Sequence, residues 1–130
     1  MTVELNYLAY TAMLTAALWV VYIASQVQTN GFLTPQNYVD PAPRPVPLWG
    51  QRAHRAYLNA AEAFAPFAAV VLILHVTSQE NGTTAFLTMA YFWLRVVHAA
   101  VYWFAIPYIR TISFTLGFLC VVGLFWQVVT

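Results

Sequence analysis

The chain contains no lysine, and charge of either sign is scarce: five Arg and four acidic residues among 130, or 7% charged, for a net charge of +1. A soluble domain carries about 25% charged residues. So thin a polar cover cannot clothe a water-exposed surface, which excludes a soluble globular class. The missing basic face also argues against a nucleic-acid partner, because nothing would neutralise the phosphates. Cys120 is the only cysteine, so an internal disulfide is excluded. A basic n-region is absent as well: Met1-Thr2-Val3-Glu4 precedes an apolar run long enough to span a bilayer, so that run reads as a span and not as a cleaved signal peptide.

What is present is apolar. Hydrophobic residues make up 62% of the chain, and the mean hydropathy is +0.67. A span needs about 20 mostly apolar residues. Four stretches qualify: 5–27, 56–77 (interrupted by Glu62), 85–106 (with Arg95 near its middle) and 111–129. None alternates with period two, which argues against strands. Residues 28–51 hold Pro35, Pro41, Pro43, Pro45 and Pro47 and read as a long ordered or semi-extended loop. The connections at 78–84 and 107–110 are short, which forces antiparallel neighbours. The expected fold is an all-α, four-transmembrane-helix up-down bundle forming one domain, 1–130.

Orientation follows from arginine. Arg44, Arg52, Arg55 and Arg110 fall at the first and third loops, whereas the opposite side shows Glu4 and Glu80. The positive-inside tendency places the first and third loops in the cytoplasm and both termini on the other side. Trp49 and Trp103 then mark the cytoplasmic interface, with Tyr7 and Trp126 at the other. Asn81-Gly82-Thr83 matches a glycosylation sequon, but in so tight a turn the match reads as coincidence.

Ionisable groups within spans are expensive and mark function or pairing inside the bundle. Arg52, Arg55, Asn59 and Glu62 are spaced 3, 4 and 3, and Tyr91, Arg95, His98 and Tyr102 are spaced 4, 3 and 4. At about 100° per residue each set forms one stripe. Glu62 and Arg95 both lie about 15 Å below the basic ends of their spans, so a Glu62–Arg95 ion pair is expected. Whether that pair only locks two helices together or belongs to a site is left open by spacing alone. Arg55, Asn59, His98 and Tyr102 lie nearer the basic end, and with Arg110 they can bind a polar anionic ligand. His54, His75 and His98 lie at different depths, which disfavours a haem or a three-His metal site. Cys120 reads as a packing residue.

The arrangement Arg52, Arg55, Ala56, Asn59, Glu62, Pro66, Phe67 resembles a motif of the MAPEG family, membrane-associated proteins in eicosanoid and glutathione metabolism. Arg95, His98 and Tyr102 followed by Arg110 resemble its second motif, and the layout agrees over essentially the whole chain. The resemblance implies a homotrimer in contact with membrane lipids, with glutathione as co-substrate held between subunits and no metal or haem. It implies that Arg55, Asn59, Glu62, His98 and Tyr102 hold glutathione, and that Arg110 stabilises its thiolate with help from Thr111. Arg52 and Arg95 would brace the site. The physical logic stands beside the name: two carboxylates and an ammonium call for several Arg donors and one acid, and a guanidinium favours a thiolate.

Two positions depart from the family pattern. Phe114 stands where some members have Tyr, and the first span offers only Gln26 and Gln28 where eukaryotic members have Arg. The specialised leukotriene and prostaglandin synthase activities are therefore not implied. The expected function is a glutathione transferase or peroxidase acting on lipophilic small molecules. The alternatives are a non-catalytic lipid-binding or scaffold protein of the same fold, or a proton or ion pathway built on Glu62, Arg95 and His98.

Overall fold

A computed structural model describes residues 1–31 and 46–130. Arg44 and the prolines at 35, 41, 43 and 45 lie outside the described residues. The described chain forms four long helices: α1 (Val3–Asn30), α2 (Leu48–Val76), α3 (Gly82–Trp103) and α4 (Ile109–Val129). Each is long and apolar enough to cross a membrane, and no strand is found among the described residues.

The helix ends follow from local chemistry. Thr2 caps α1 by accepting from the Leu5 N–H, and Gly31, at φ 74°, ends the helix with its N–H on Val27 O. The left-handed backbone there is what glycine accepts without penalty. Pro47 precedes α2, which starts about two turns before its apolar run and so holds Arg52 and Arg55 on regular helix. Residues 48–51 are therefore helix and not part of the loop. Asn81 and Thr84 form a reciprocal capping box at the start of α3. With the Asn81 side chain occupied in this way, the sequon residue has a structural role.

Small and polar residues make the seams. On α1 the buried positions are Glu4, Thr11, Leu18 and Ser25, one every seven residues. Facing them on α2 are Gly50, Ala53, Ala56 and Ala60. Lipid tails are as apolar as leucine, so helices in a bilayer associate through close packing and hydrogen bonds, which small residues permit. The approach is closest at Gly50, where an added Cβ would lie 2.5 Å from Ser25 Oγ and 2.8 Å from Ser25 Cβ. α3 packs through Thr84, Thr88, Tyr91, Arg95 and His98, and α4 through Ser113, Gly117, Cys120 and Leu124. α1 touches α2 and α3, and α4 touches the same two from the other side. The main core joins α2, α3 and α4 around a Phe67–Tyr91 stack, 3.9 Å between centroids, with Val71, Leu74, Cys120 and Leu124.

The end of the bundle opposite Arg110 is closed by polar bonds. Thr2 Oγ1 donates to Glu80 Oε2 (2.7 Å), Thr84 Oγ1 donates to Glu4 (2.6 Å), and His75 Nδ1 lies 3.1 Å from Glu80 Oε1. Asn81 and Gln79 reach the end of α4 at Gln127 and the Val128 carbonyl. Burial pushes the Glu80 carboxyl up, but hydrogen bonds from Thr2 and His75, the neighbouring Glu4 and the charge of His75 outweigh it and hold Glu80 below its ordinary value.

Candidate functional site

The polar stripe of α3 points into the bundle. Tyr91 is 2% exposed, Arg95 4% and His98 1%, and Tyr102 is half-buried. On α2 the stripe lies at the edge: Asn59 and Arg52 are half-buried, while Arg55 and Glu62 are exposed. The two stripes meet at one bond, in which Arg95 Nη2 donates to Asn59 Oδ1 over 2.8 Å.

This corrects one expectation. Arg95 is paired with Asn59 and not with Glu62. Matching depth was sound, but three residues along a helix turn a side chain about 60° away from the starting direction. That rotation carries Glu62 toward the outer face while Asn59 stays against α3. Among the described residues the one ion pair is His75–Glu80, at the far end of the bundle.

Two cavities lie side by side. The first, about 260 Å³, is lined by Asn59, His98, Tyr102, Arg110, Thr111 and Phe114. Five of the seven residues expected to bind ligand or act on it thus share one space. The second, about 300 Å³, is mostly apolar and is bounded by Tyr91, Phe114, Gly117, Phe118 and Val121, with Asn59, Glu62 and Arg95 as its polar side. Asn59 and Phe114 belong to both cavities. Arg52 and Arg55 line neither; Arg55 is exposed one turn from Asn59 on α2.

The first cavity carries positive charge. The Arg110 guanidinium lies over the Tyr102 ring, 4.8 Å from its centroid, a cation–π contact that fixes the charge in place. Arg110 and Thr111 fall in the first turn of α4, which has no side-chain cap, so the positive end of the helix dipole adds to the same field. His98 Nδ1 is buried without a hydrogen-bond partner. Such an atom is costly unless a ligand or water satisfies it, and it sits on a residue of the cavity wall. Among the described residues, the indole N–H of Trp103 is the other buried side-chain polar group without a partner. Sequence gave no hint of it, because Trp103 read only as an interfacial anchor.

Pro66 interrupts the helix hydrogen bonding of α2 beside the second cavity. It has no N–H, so the Glu62 carbonyl loses its intrahelical donor, and both residues line that space. Gly117, Phe118 and Val121 were not expected at a site, since apolar residues on an apolar helix leave no local signal. The remaining histidines are elsewhere: His54 stacks on Tyr22, 4.1 Å between centroids, and His75 pairs with Glu80. No cluster of three metal-ligating side chains is found among the described residues.

No curated protein matches this chain. The sequence model of the MAPEG family matches residues 6–130, which takes in every residue of both cavities. Four membrane-length helices, the two polar stripes and that match agree: the chain belongs to the MAPEG family, membrane proteins connected with glutathione and eicosanoid metabolism.

Proposed function

We propose that this protein is a glutathione-dependent transferase or peroxidase acting on lipophilic electrophiles. The observation that carries the reading is the single cavity that unites Asn59, His98, Tyr102, Arg110 and Thr111. The donor set suits a tripeptide with two carboxylates, one ammonium and a thiol. Arg110 and Arg55 supply charge-assisted donors for anions, Glu62 supplies the acid for the ammonium, and His98 and Asn59 supply neutral hydrogen bonds.

Arg110 has the chemical role. A thiolate is the competent nucleophile, and a guanidinium beside a thiol favours its charged form. Arg suits this because it stays protonated even when partly buried. The Thr111 hydroxyl, next in the chain, donates to the same anion. The apolar cavity adjoins this point and takes the lipophilic partner from the bilayer, which gives a physical reason for such chemistry to be housed in a membrane.

The assembly belongs to the proposal. Glu62 is exposed on the surface of a single chain at membrane depth, where unpaired charge is expensive, and Arg55 is exposed about two turns nearer the basic end. A homotrimer that places a neighbour against this α2 face shelters both and completes the glutathione site. The arginine-bearing ends then face the cytoplasm. The same exposure of Arg55 also suits a non-catalytic lipid-binding protein, in which a phospholipid headgroup occupies this face. Purified protein in detergent separates the two readings. Saturable glutathione binding with conjugation of a lipophilic electrophile supports the enzyme; co-purified phospholipid that glutathione does not displace, with no conjugation, supports the lipid-binding protein.

A further inference from the structure

On the polar wall of the apolar cavity, Asn59 and Glu62 have places in the glutathione reading, and Arg95 has no chemical role there. Arg95 is almost wholly buried and lines this space. Of the five N–H donors of a guanidinium, one bond is made, from Nη2 to Asn59. A buried cation with so few partners is costly on its own, and around it stand Tyr91, Phe114, Gly117, Phe118 and Val121.

Shape and charge together select a ligand. An apolar cavity of about 150 Å³ accepts benzene. The space here is about 300 Å³, enough to hold a body of one or two rings. The donors of Arg95 call for a hydrogen-bond acceptor on that body. The cavity meets the Arg110 cavity at Phe114 and Asn59, so the reacting carbon belongs near that shared wall and the acceptor oxygen toward Arg95.

We infer that Arg95 is a second catalytic arginine, which binds the carbonyl oxygen of a compact aromatic α,β-unsaturated ketone and stabilises the charge that develops there during thiol addition. This rests on the glutathione reading above and adds the substrate class to it. In the step, the carbon–sulfur bond forms at the β-carbon. The alkene π pair shifts toward the carbonyl carbon, and the carbonyl π pair moves onto oxygen, where the Arg95 N–H groups receive it. The proton released from the thiol ends on the α-carbon, and nothing is oxidised or reduced. A donor aimed at developing charge in a water-poor site is worth about 10²–10³-fold in rate.

The test uses the full chain in detergent and begins without thiol. The infrared carbonyl stretch of bound benzylideneacetone is expected at lower frequency than in apolar solvent, and Arg95→Met removes that shift. With glutathione present, Arg95→Met lowers kcat for benzylideneacetone by about 10²–10³-fold. Glutathione affinity falls with the lost Asn59 bond, but at saturating glutathione the rate on benzyl chloride, which has no acceptor oxygen, falls far less than that on benzylideneacetone, and Arg95→Lys recovers part of the loss. An unshifted carbonyl in the unmodified protein, or equal loss on both substrates, overturns the assignment.

Should Arg95→Met not fold, Gly117→Leu decides. A Cβ at Gly117 meets the Tyr91 ring at an ordinary 3.7 Å, so the added side chain occupies the cavity. Loss of the infrared shift with glutathione binding intact supports the inference; a persisting shift overturns it. A carbonyl shift in a protein that never binds glutathione sinks the thiol reading and leaves Arg95 as a carbonyl-binding residue.

Discussion

Arg95 donates through Nη2 to Asn59 Oδ1 across 2.8 Å, and this bond stands where the polar and apolar cavities share a wall. It joins α3 to α2 in the middle of the bundle and orients Asn59 toward the expected glutathione site. A hydrogen bond to a charged group contributes about 1.5–3 kcal/mol. Asn59→Ala is therefore expected to destabilise the folded protein by about that amount and to weaken glutathione binding as well. Thermal unfolding in detergent, with and without glutathione, measures both. Unchanged stability would show that Arg95 finds other partners at no cost.

Arg110→Ala separates binding from activation. The ultraviolet absorbance of bound thiolate should fall sharply, while glutathione affinity changes less, because Arg55, Asn59 and Glu62 remain. Turnover should fall by about 10²–10³-fold, the usual effect of removing one donor from developing charge. A thiolate signal equal to that of the unmodified protein would remove Arg110 from the mechanism.

Gly50→Ala tests the seam between α1 and α2. The new methyl would fall 2.5 Å from Ser25 Oγ and 2.8 Å from its Cβ. Because Cβ is fixed to the backbone, the helices themselves must part. Overpacking of this kind costs about 1–3 kcal/mol, to be read as a lower unfolding temperature. Ser25→Gly in the same chain should recover most of it, and no recovery would place the strain elsewhere.

Glu80 sets a pH dependence at the opposite end. Its carboxyl is held below the ordinary value of 4.5 in the folded protein. A depressed carboxylate contributes stability that is fully present above the unfolded value and is lost as pH falls through the folded one. Glu80→Gln should therefore lower the unfolding temperature near neutral pH, and the gap to the unmodified protein should narrow at acid pH below 4.5. A gap independent of pH would mean that the Thr2 and His75 contacts do not depend on the Glu80 charge.

Much of this arrangement was legible in the residues. Apolar runs announce spans because backbone in lipid must bond to itself. The polar stripes stood out because charge is rare in such runs and helical period aligns it. Arg110, Thr111, His98, Tyr102 and Asn59 were expected together, and they line one cavity. Depth along a helix is readable from spacing, but rotation about it is not, so spacing alone pairs Arg95 with Glu62 when its partner is Asn59. The starting turns of α2 were hidden because prolines and arginines around residue 48 resemble a loop. The apolar cavity was invisible, since Gly117 and Val121 differ in no local way from their neighbours on α4.

The central claim, a glutathione site at the arginine-bearing end of the bundle, is tested most directly by calorimetric titration of the folded, detergent-solubilised protein with glutathione. The account predicts saturable binding in the millimolar range or tighter, weakened by Glu62→Gln and by Arg55→Ala. Absence of binding at millimolar glutathione in protein shown to be folded would contradict it.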